Sequence, residues 1–129
     1  MLTWWAFQSD SQELPELSTT FEIEHIFAKN RQENEKSLTN LENLEALGNK
    51  SLLEKRINIR ASDYRFEDKK KYYKGFVNAR GVKKEGTKIH ELLYLADNNE
   101  DYTEDDIRTR NAYVINTFIE YMKSKNLIK

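Results

Sequence analysis

The sequence predicts an α+β fold that is mainly helical, and three observations predict it. Thr20-Phe-Glu-Ile-Glu-His-Ile alternates apolar and polar residues with period two, the pattern of a short strand. Ile107, Val114, Phe118 and Met122 recur at helical spacing behind Thr103-Glu-Asp-Asp, which reads as a capping box. One proline (Pro15) and four glycines in 129 residues leave few breaks between such segments. The length fits one domain able to bury a core of its own.

The elements follow in order. Residues 1–19 read as a lead-in whose Trp4, Trp5 and Phe7 are available to pack on the core. Two tryptophans so near the start read as the edge of a piece cut from a longer chain. In the strand, Phe21, Ile23 and His25 share one face and Glu22 and Glu24 the other. Residues 28–45, rich in Asn and Glu, read as a long loop with room for a helical turn, and long loops in compact domains tend to be functional or mobile. Ala46 to Leu53 reads as strand, turn, strand or as strand, turn, helix around Gly48-Asn49. Glu54 to Arg60 is a short helix. Ser62 caps a second one, where Phe66, Tyr73 and Phe76 fall near helical spacing among Lys69, Lys70, Lys71 and Lys74. Residues 77–86 form a Gly- and Lys-rich loop, and Ile89 to Leu95 is a short apolar segment of open type that holds a structural His90. The terminal helix runs about five turns, and its apolar stripe is core.

Composition removes several function classes. The absence of cysteine excludes a disulfide framework, a Cys-based zinc site and a cysteine nucleophile. Two histidines, His25 and His90, exclude a multi-histidine metal cage. Fifteen aromatic residues argue against disorder. No apolar run reaches the length of a membrane span, and the start lacks a basic segment before an apolar one. A soluble, cytoplasmic protein with no membrane partner is the expectation. Net charge is −1, but it is unevenly spread: −6 over residues 1–54, +8 over 55–90 and −3 over 91–129. The basic middle is either a phosphate-binding face or a solvated Lys-rich helix.

Glu24, His25, Asn49 and Asn58 carry the chemistry. Glu24 and His25, adjacent at the end of a strand, point to opposite faces and can do different work. Asn49 follows Gly48 in the turn, and Asn58 lies nine residues later on the short helix. A Glu24 carboxylate and an Asn58 amide oxygen make a hard, oxygen-only ligand pair. Such a pair suits Mg²⁺, which keeps its waters and takes one or two protein ligands plus phosphate oxygens; Mn²⁺ or another divalent cation fits as well. Beside it, neutral His25 is placed to deprotonate a water.

At these residues the chain resembles a known family. Glu24-His25-Ile26, Leu47-Gly48-Asn49 with Leu52-Leu53, Asn58, Ser62, Phe66 and Lys69-Lys70 follow one another as in an HNH endonuclease domain. More narrowly, the chain is similar to the HNH domain in the C-terminal part of GmrSD-type, modification-dependent (type IV) restriction enzymes. Tyr102-Thr103, Ile107 and Arg110 extend the match into the terminal helix, so it covers about residues 20–122. The resemblance implies a ββα-metal core over about 20–79 and a helical extension over about 87–126, within a nuclease domain of residues 20–129 behind the lead-in 1–19. It implies that His25 is the general base, that Glu24 and Asn58 are metal ligands, and that Asn49 supports the loop and orients the histidine. It implies cleavage of DNA phosphodiester bonds in a restriction or phage-defence system, with an N-terminal nucleotide-hydrolysing domain that this chain lacks. Lys69 or Lys70 matches a basic pair near the phosphate backbone, and Arg56, Arg60, Lys83 and Lys84 of the basic block are further contacts for DNA. Two positions depart from the family pattern. Ala28 stands where proline is usual, and Lys50 stands where leucine follows Gly-Asn and offers one more phosphate contact.

Two other readings compete with the nuclease. One is a catalytically inactive HNH-like module that binds DNA or a partner protein. The other is a helical interaction domain whose basic helix takes an acidic partner. Convergence of Glu24, His25 and Asn58 on one point separates the last from the rest.

Overall fold

The computed structural model describes residues 1–62 and 64–127. Its centre is an antiparallel pair, β1 (Phe21–His25) and β2 (Lys50–Glu54), with Phe21 opposite Glu54 and His25 opposite Lys50. Helix α3 (Lys55–Ala61) leaves β2 with no intervening loop. Around this unit stand α1 (Leu2–Phe7), α2 (Lys29–Glu35), α4 (Phe66–Lys74), α5 (His90–Asn98) and α6 (Glu104–Ser124). A second antiparallel pair, β3 (Gly75–Val77) and β4 (Lys83–Glu85), lies between α4 and α5 in the chain. About 53% of the described residues are helical, so the expected α+β, mainly helical class holds.

Each helix faces the core through a stripe. Ile57 and Ala61 of α3, Phe66 and Tyr73 of α4, Leu92 and Ala96 of α5, and Ile107 and Val114 of α6 are all buried at helical spacings. Ile26, Phe27 and Leu53 from the β1–β2 unit fill the space between them. Two stripe positions hold cations, Lys69 on α4 and Arg110 on α6, both buried. The lead-in is anchored by its aromatics. The Trp5 indole donates to Glu91 at 2.6 Å, the Trp4 ring lies 5.1 Å from those of both Phe118 and Tyr121, and Phe7 meets Phe21 edge to face.

Several local expectations change. Apolar-in packing of β1 would turn Ile23 inward, yet Ile23 is 54% exposed and Glu24 is 3% exposed. Glu24 is the one buried residue of the strand, because α4 brings a cation and a hydroxyl to meet it, while Phe21 on the other face also packs against the core. Residues 28–45 contain α2 and a 3₁₀ segment, Leu41–Glu45. Gly48-Asn49 lies in a second 3₁₀ segment, Leu47–Asn49, that leads into β2. Ser62 ends α3 with a left-handed φ of 45° instead of capping α4, whose own N-cap is Arg65. The Gly- and Lys-rich stretch 77–86 includes the turn and return strand of the β3–β4 hairpin. The Thr103 box forms as expected, with the Thr103 amide and hydroxyl both donating to Asp106 Oδ2 at 2.8 and 2.9 Å.

Helix α6 does more than close the core. The Gly48 amide donates to Asn111 Oδ1 at 2.9 Å, and the Tyr102 hydroxyl donates to the Gly48 carbonyl at 2.6 Å. Arg110 donates to the carbonyls of Leu47 (2.9 Å) and Lys50 (2.8 Å), while Glu91 accepts its other nitrogens at 2.8 and 3.0 Å. The loop before β2 is thus seated on α6, and glycine at 48 is a matter of space. A Cβ there would collide with the Ile107 carbonyl oxygen and come 2.6 Å from the Asn111 amide nitrogen. Gly48→Ala is therefore expected to cost about 3 kcal/mol, read as a lower urea midpoint; at exposed Gly81 alanine would meet no neighbouring atom, and only its positive φ of 78° would strain it.

Candidate functional site

The end of β1 meets the C-terminal half of α3 and one face of α4. Between them lies a cavity of about 190 Å³, lined by Ile23, Glu24, His25, Lys29, Asn58, Ser62 and Lys69. Glu24 is held on both oxygens. The Tyr73 hydroxyl donates to Oε2 at 2.6 Å, and the Lys69 ammonium lies 3.2 Å from Oε1. That ammonium also donates to the His25 backbone carbonyl at 2.6 Å. Burial pushes the Glu24 carboxyl up from its ordinary value, and Lys69, Tyr73 and His25 pull against that rise. Burial and the facing carboxylate also push the Tyr73 phenol well up, so it stays a donor.

The His25 ring takes a different partner. Its Nε2 lies 3.1 Å from each carboxylate oxygen of Glu45, which also pairs with Lys29 at 3.3 Å and Lys50 at 3.0 Å. Hydrogen bonds from Lys50 and His25 hold the Glu45 carboxyl down to about 2. The loop carrying Glu45 is fixed from α6: Glu104 accepts from the Thr39 amide and hydroxyl, the Asn40 amide and the Asn43 side chain at 2.6–3.0 Å. These donors hold the Glu104 carboxyl down to about 2 as well.

Asn49 lies behind the cavity. It is fully buried; Oδ1 accepts from the Phe27 amide at 2.7 Å, and Nδ2 donates to the carbonyls of Phe27 (3.0 Å) and Leu44 (2.9 Å). The Asn49 carbonyl accepts from the Ile26 amide at 2.9 Å. This one residue clips the chain just after His25 to the loop just before Glu45. Asn58 is half-buried on α3, and its Nδ2 donates to Glu22 Oε1 at 3.3 Å.

The structure therefore brings Glu24, His25 and Asn58 to one cavity, with Asn49 as a clip outside it. The basic candidates divide. Lys69 is fully buried on Glu24, because a carboxylate on the inner sheet face needs a cation beside it; it is not a surface contact for phosphate. Lys50 sits on Glu45 and remains partly exposed. Lys70 lies 5.5 Å over the Phe66 ring. Arg56 pairs with Glu85 at 3.5 Å and lines a different, larger cavity with Phe21 and Glu54. Arg60, in the last turn of α3, is half-exposed. Among the described residues no group of three or more His, Cys, Asp or Glu side chains could hold a metal ion. Sequence reasoning missed Glu45 and Glu104, which sit in unpatterned polar stretches. Tyr73, placed at helical spacing by the sequence, is buried in the core and also donates to Glu24.

A family model for the C-terminal domain of GmrSD restriction endonucleases matches residues 2–116. The chain belongs to this family. No curated protein and no solved structure matches it. The family implies a nuclease part of a restriction system, with DNA as its substrate. The matched span takes in α1 and the half of α6 that grips the Gly48 loop. No helix among the described residues is long and apolar enough to cross a membrane.

Glu45 and Glu104 make the hold on the Leu41–Asn49 loop pH-dependent. Both carboxyls are depressed in the folded chain, so their stabilisation is full above about pH 4.5 and is lost as pH falls toward about 2. The wild type is expected to exceed a Glu45→Gln/Glu104→Gln variant in urea stability at pH 6, with the gap closing by pH 2–3. A pH-independent gap would show that ionisation is not what holds the loop.

Proposed function

We propose that this GmrSD C-terminal domain is a divalent-metal-dependent, HNH-type endonuclease built on a ββα-metal core. The observation that carries the reading is that Glu24, His25 and Asn58 line one cavity. The chain order β1, β2, α3 supports it, since Glu24 and His25 end the first strand and Asn58 lies on the helix that follows the second. His25 is the general base: it takes a proton from a water whose oxygen bonds to phosphorus as the phosphodiester P–O bond breaks, and the leaving oxygen is protonated from solvent. Asn49 keeps the His25 strand end in place through its three hydrogen bonds.

The donor chemistry at the cavity fits a hard, hydrated cation such as Mg²⁺ or Mn²⁺. Glu24 and Asn58 offer oxygen only, and two protein ligands suffice for an ion that keeps its waters. Bound there, the cation would neutralise the phosphodiester and stabilise the leaving oxygen. Glu24 and Asn58 would hold it beside the Lys69 ammonium that already pairs with Glu24. Lys29, Lys50, Arg60 and Lys70 are the proposed phosphate contacts. The proposed setting is the cytoplasm, with an N-terminal nucleotide-hydrolysing domain or subunit as partner.

One observation favours a second reading. Both Glu24 oxygens already have protein partners, Tyr73 and Lys69, as expected of a domain that binds DNA without cutting it. Plasmid nicking separates the two. The nuclease reading predicts nicking with Mg²⁺ or Mn²⁺, none with EDTA, and a loss of roughly 10²–10⁴-fold in His25→Ala. A folded chain that binds plasmid but never nicks it would favour the binding module.

A further inference from the structure

We infer that Glu45, which no sequence pattern singles out, is the positioning residue for the His25 imidazole. The inference rests on the reading of His25 as the base, and deepens it. Three features of the geometry support it.

First, the His25 ring meets the carboxylate through one nitrogen only: Nε2 lies 3.1 Å from both Oε1 and Oε2. An ionised carboxylate can only accept, so this nitrogen must carry a proton. In a neutral ring that leaves Nδ1 as the proton acceptor. Glu45 thereby sets both the tautomer and the rotation of the ring.

Second, Glu45 is itself held. Lys50 is the direct cross-strand partner of His25, so the two side chains leave the sheet on the same face and reach the same carboxylate. Lys29 approaches the other side of it at 3.3 Å from Oε1. The two ammonium groups outweigh the single negative charge, so an approaching phosphate meets a net positive rim.

Third, the backbone behind Glu45 is fixed before substrate arrives. Glu45 ends the 3₁₀ segment Leu41–Glu45, which is capped by Asn40 and bound to Glu104 of α6 through Thr39, Asn40 and Asn43. The acceptor is pre-placed on a braced loop, as a group that orients a base must be.

The test combines plasmid nicking in Mg²⁺ with ¹⁵N spectra of the histidine rings, recorded on the 129-residue chain and its Glu45→Ala, Glu45→Gln and His25→Ala variants. Glu45→Ala is expected to lower kcat about tenfold or more, within the roughly 10²–10⁴ that a general base contributes, with KM for DNA unchanged. Glu45→Gln keeps an oxygen acceptor and should recover part of the rate. The wild-type His25 ring should carry its proton on Nε2 when neutral, and lose that preference in Glu45→Ala. If both Glu45 variants cut as fast as wild type or faster, the positioning role is overturned and Glu45 only restrains the histidine or repels DNA. A wild-type chain that does not cut sinks the base assignment instead. The ring spectrum still decides the part of Glu45: an Nε2 proton lost in Glu45→Ala upholds it, and an unchanged ring overturns it.

Discussion

Arg110 donates to the backbone carbonyls of Leu47 and Lys50 at once, and the candidate site hangs on that grip. The two carbonyls bracket the segment in which Gly48 lies against α6 and Asn49 reaches back to Phe27 and Leu44. Each of these groups is a backbone dipole that water would otherwise solvate, so burial is tolerable only because the partners are complete. Among the described residues every buried side-chain nitrogen or oxygen has a partner. A two-stranded pair is marginal by itself in water. Here its loop is fixed by a 21-residue helix, which gives His25 a defined place at the end of a short strand.

Charge has replaced apolar contact at two of the points where the helices meet this unit and its loop. Lys69 occupies a core position of α4 and neutralises Glu24, while Arg110 occupies one of α6 and pairs with Glu91. Buried ion pairs seldom add net stability over a well-packed apolar pair, because desolvation offsets most of the attraction. They do impose a geometry, since removing either partner leaves a stranded charge. In this domain both pairs also hold backbone carbonyls, of His25 in one case and of Leu47 and Lys50 in the other. The same side chains thus balance charge and place the strand end that presents the histidine.

Much of this was legible in the sequence, for physical reasons. Period two marked β1, helical spacing marked α6, and Thr103 with Asp106 marked its start, because each is a local signal. Glu24, His25 and Asn58 could be grouped because their types and order suit one chemistry, and the structure places them around one cavity. What could not be read depends on contacts distant in sequence. That Glu24 turns inward follows from Lys69 and Tyr73, more than 40 residues away. The tie of Glu104 to Thr39, Asn40 and Asn43 spans 61 to 65 residues. Glu45 sits in a stretch of Asn and Glu with no periodicity, and only folding brings it to His25. Ser62 reads as a helix start because serine favours N-caps, but α3 ends there in a left-handed turn.

The grip of α6 holds the loop and, through Asn49, the strand end that carries His25. Native-state hydrogen exchange at the amides of Ile26, Phe27 and Gly48 tests it most directly, because those amides donate to the Asn49 carbonyl, to Asn49 Oδ1 and to Asn111 Oδ1. In the wild type all three should exchange only with global unfolding. In Arg110→Ala they should open locally while the β1–β2 ladder stays protected. Fast exchange of the three in the wild type, or protection unchanged in Arg110→Ala, would contradict it.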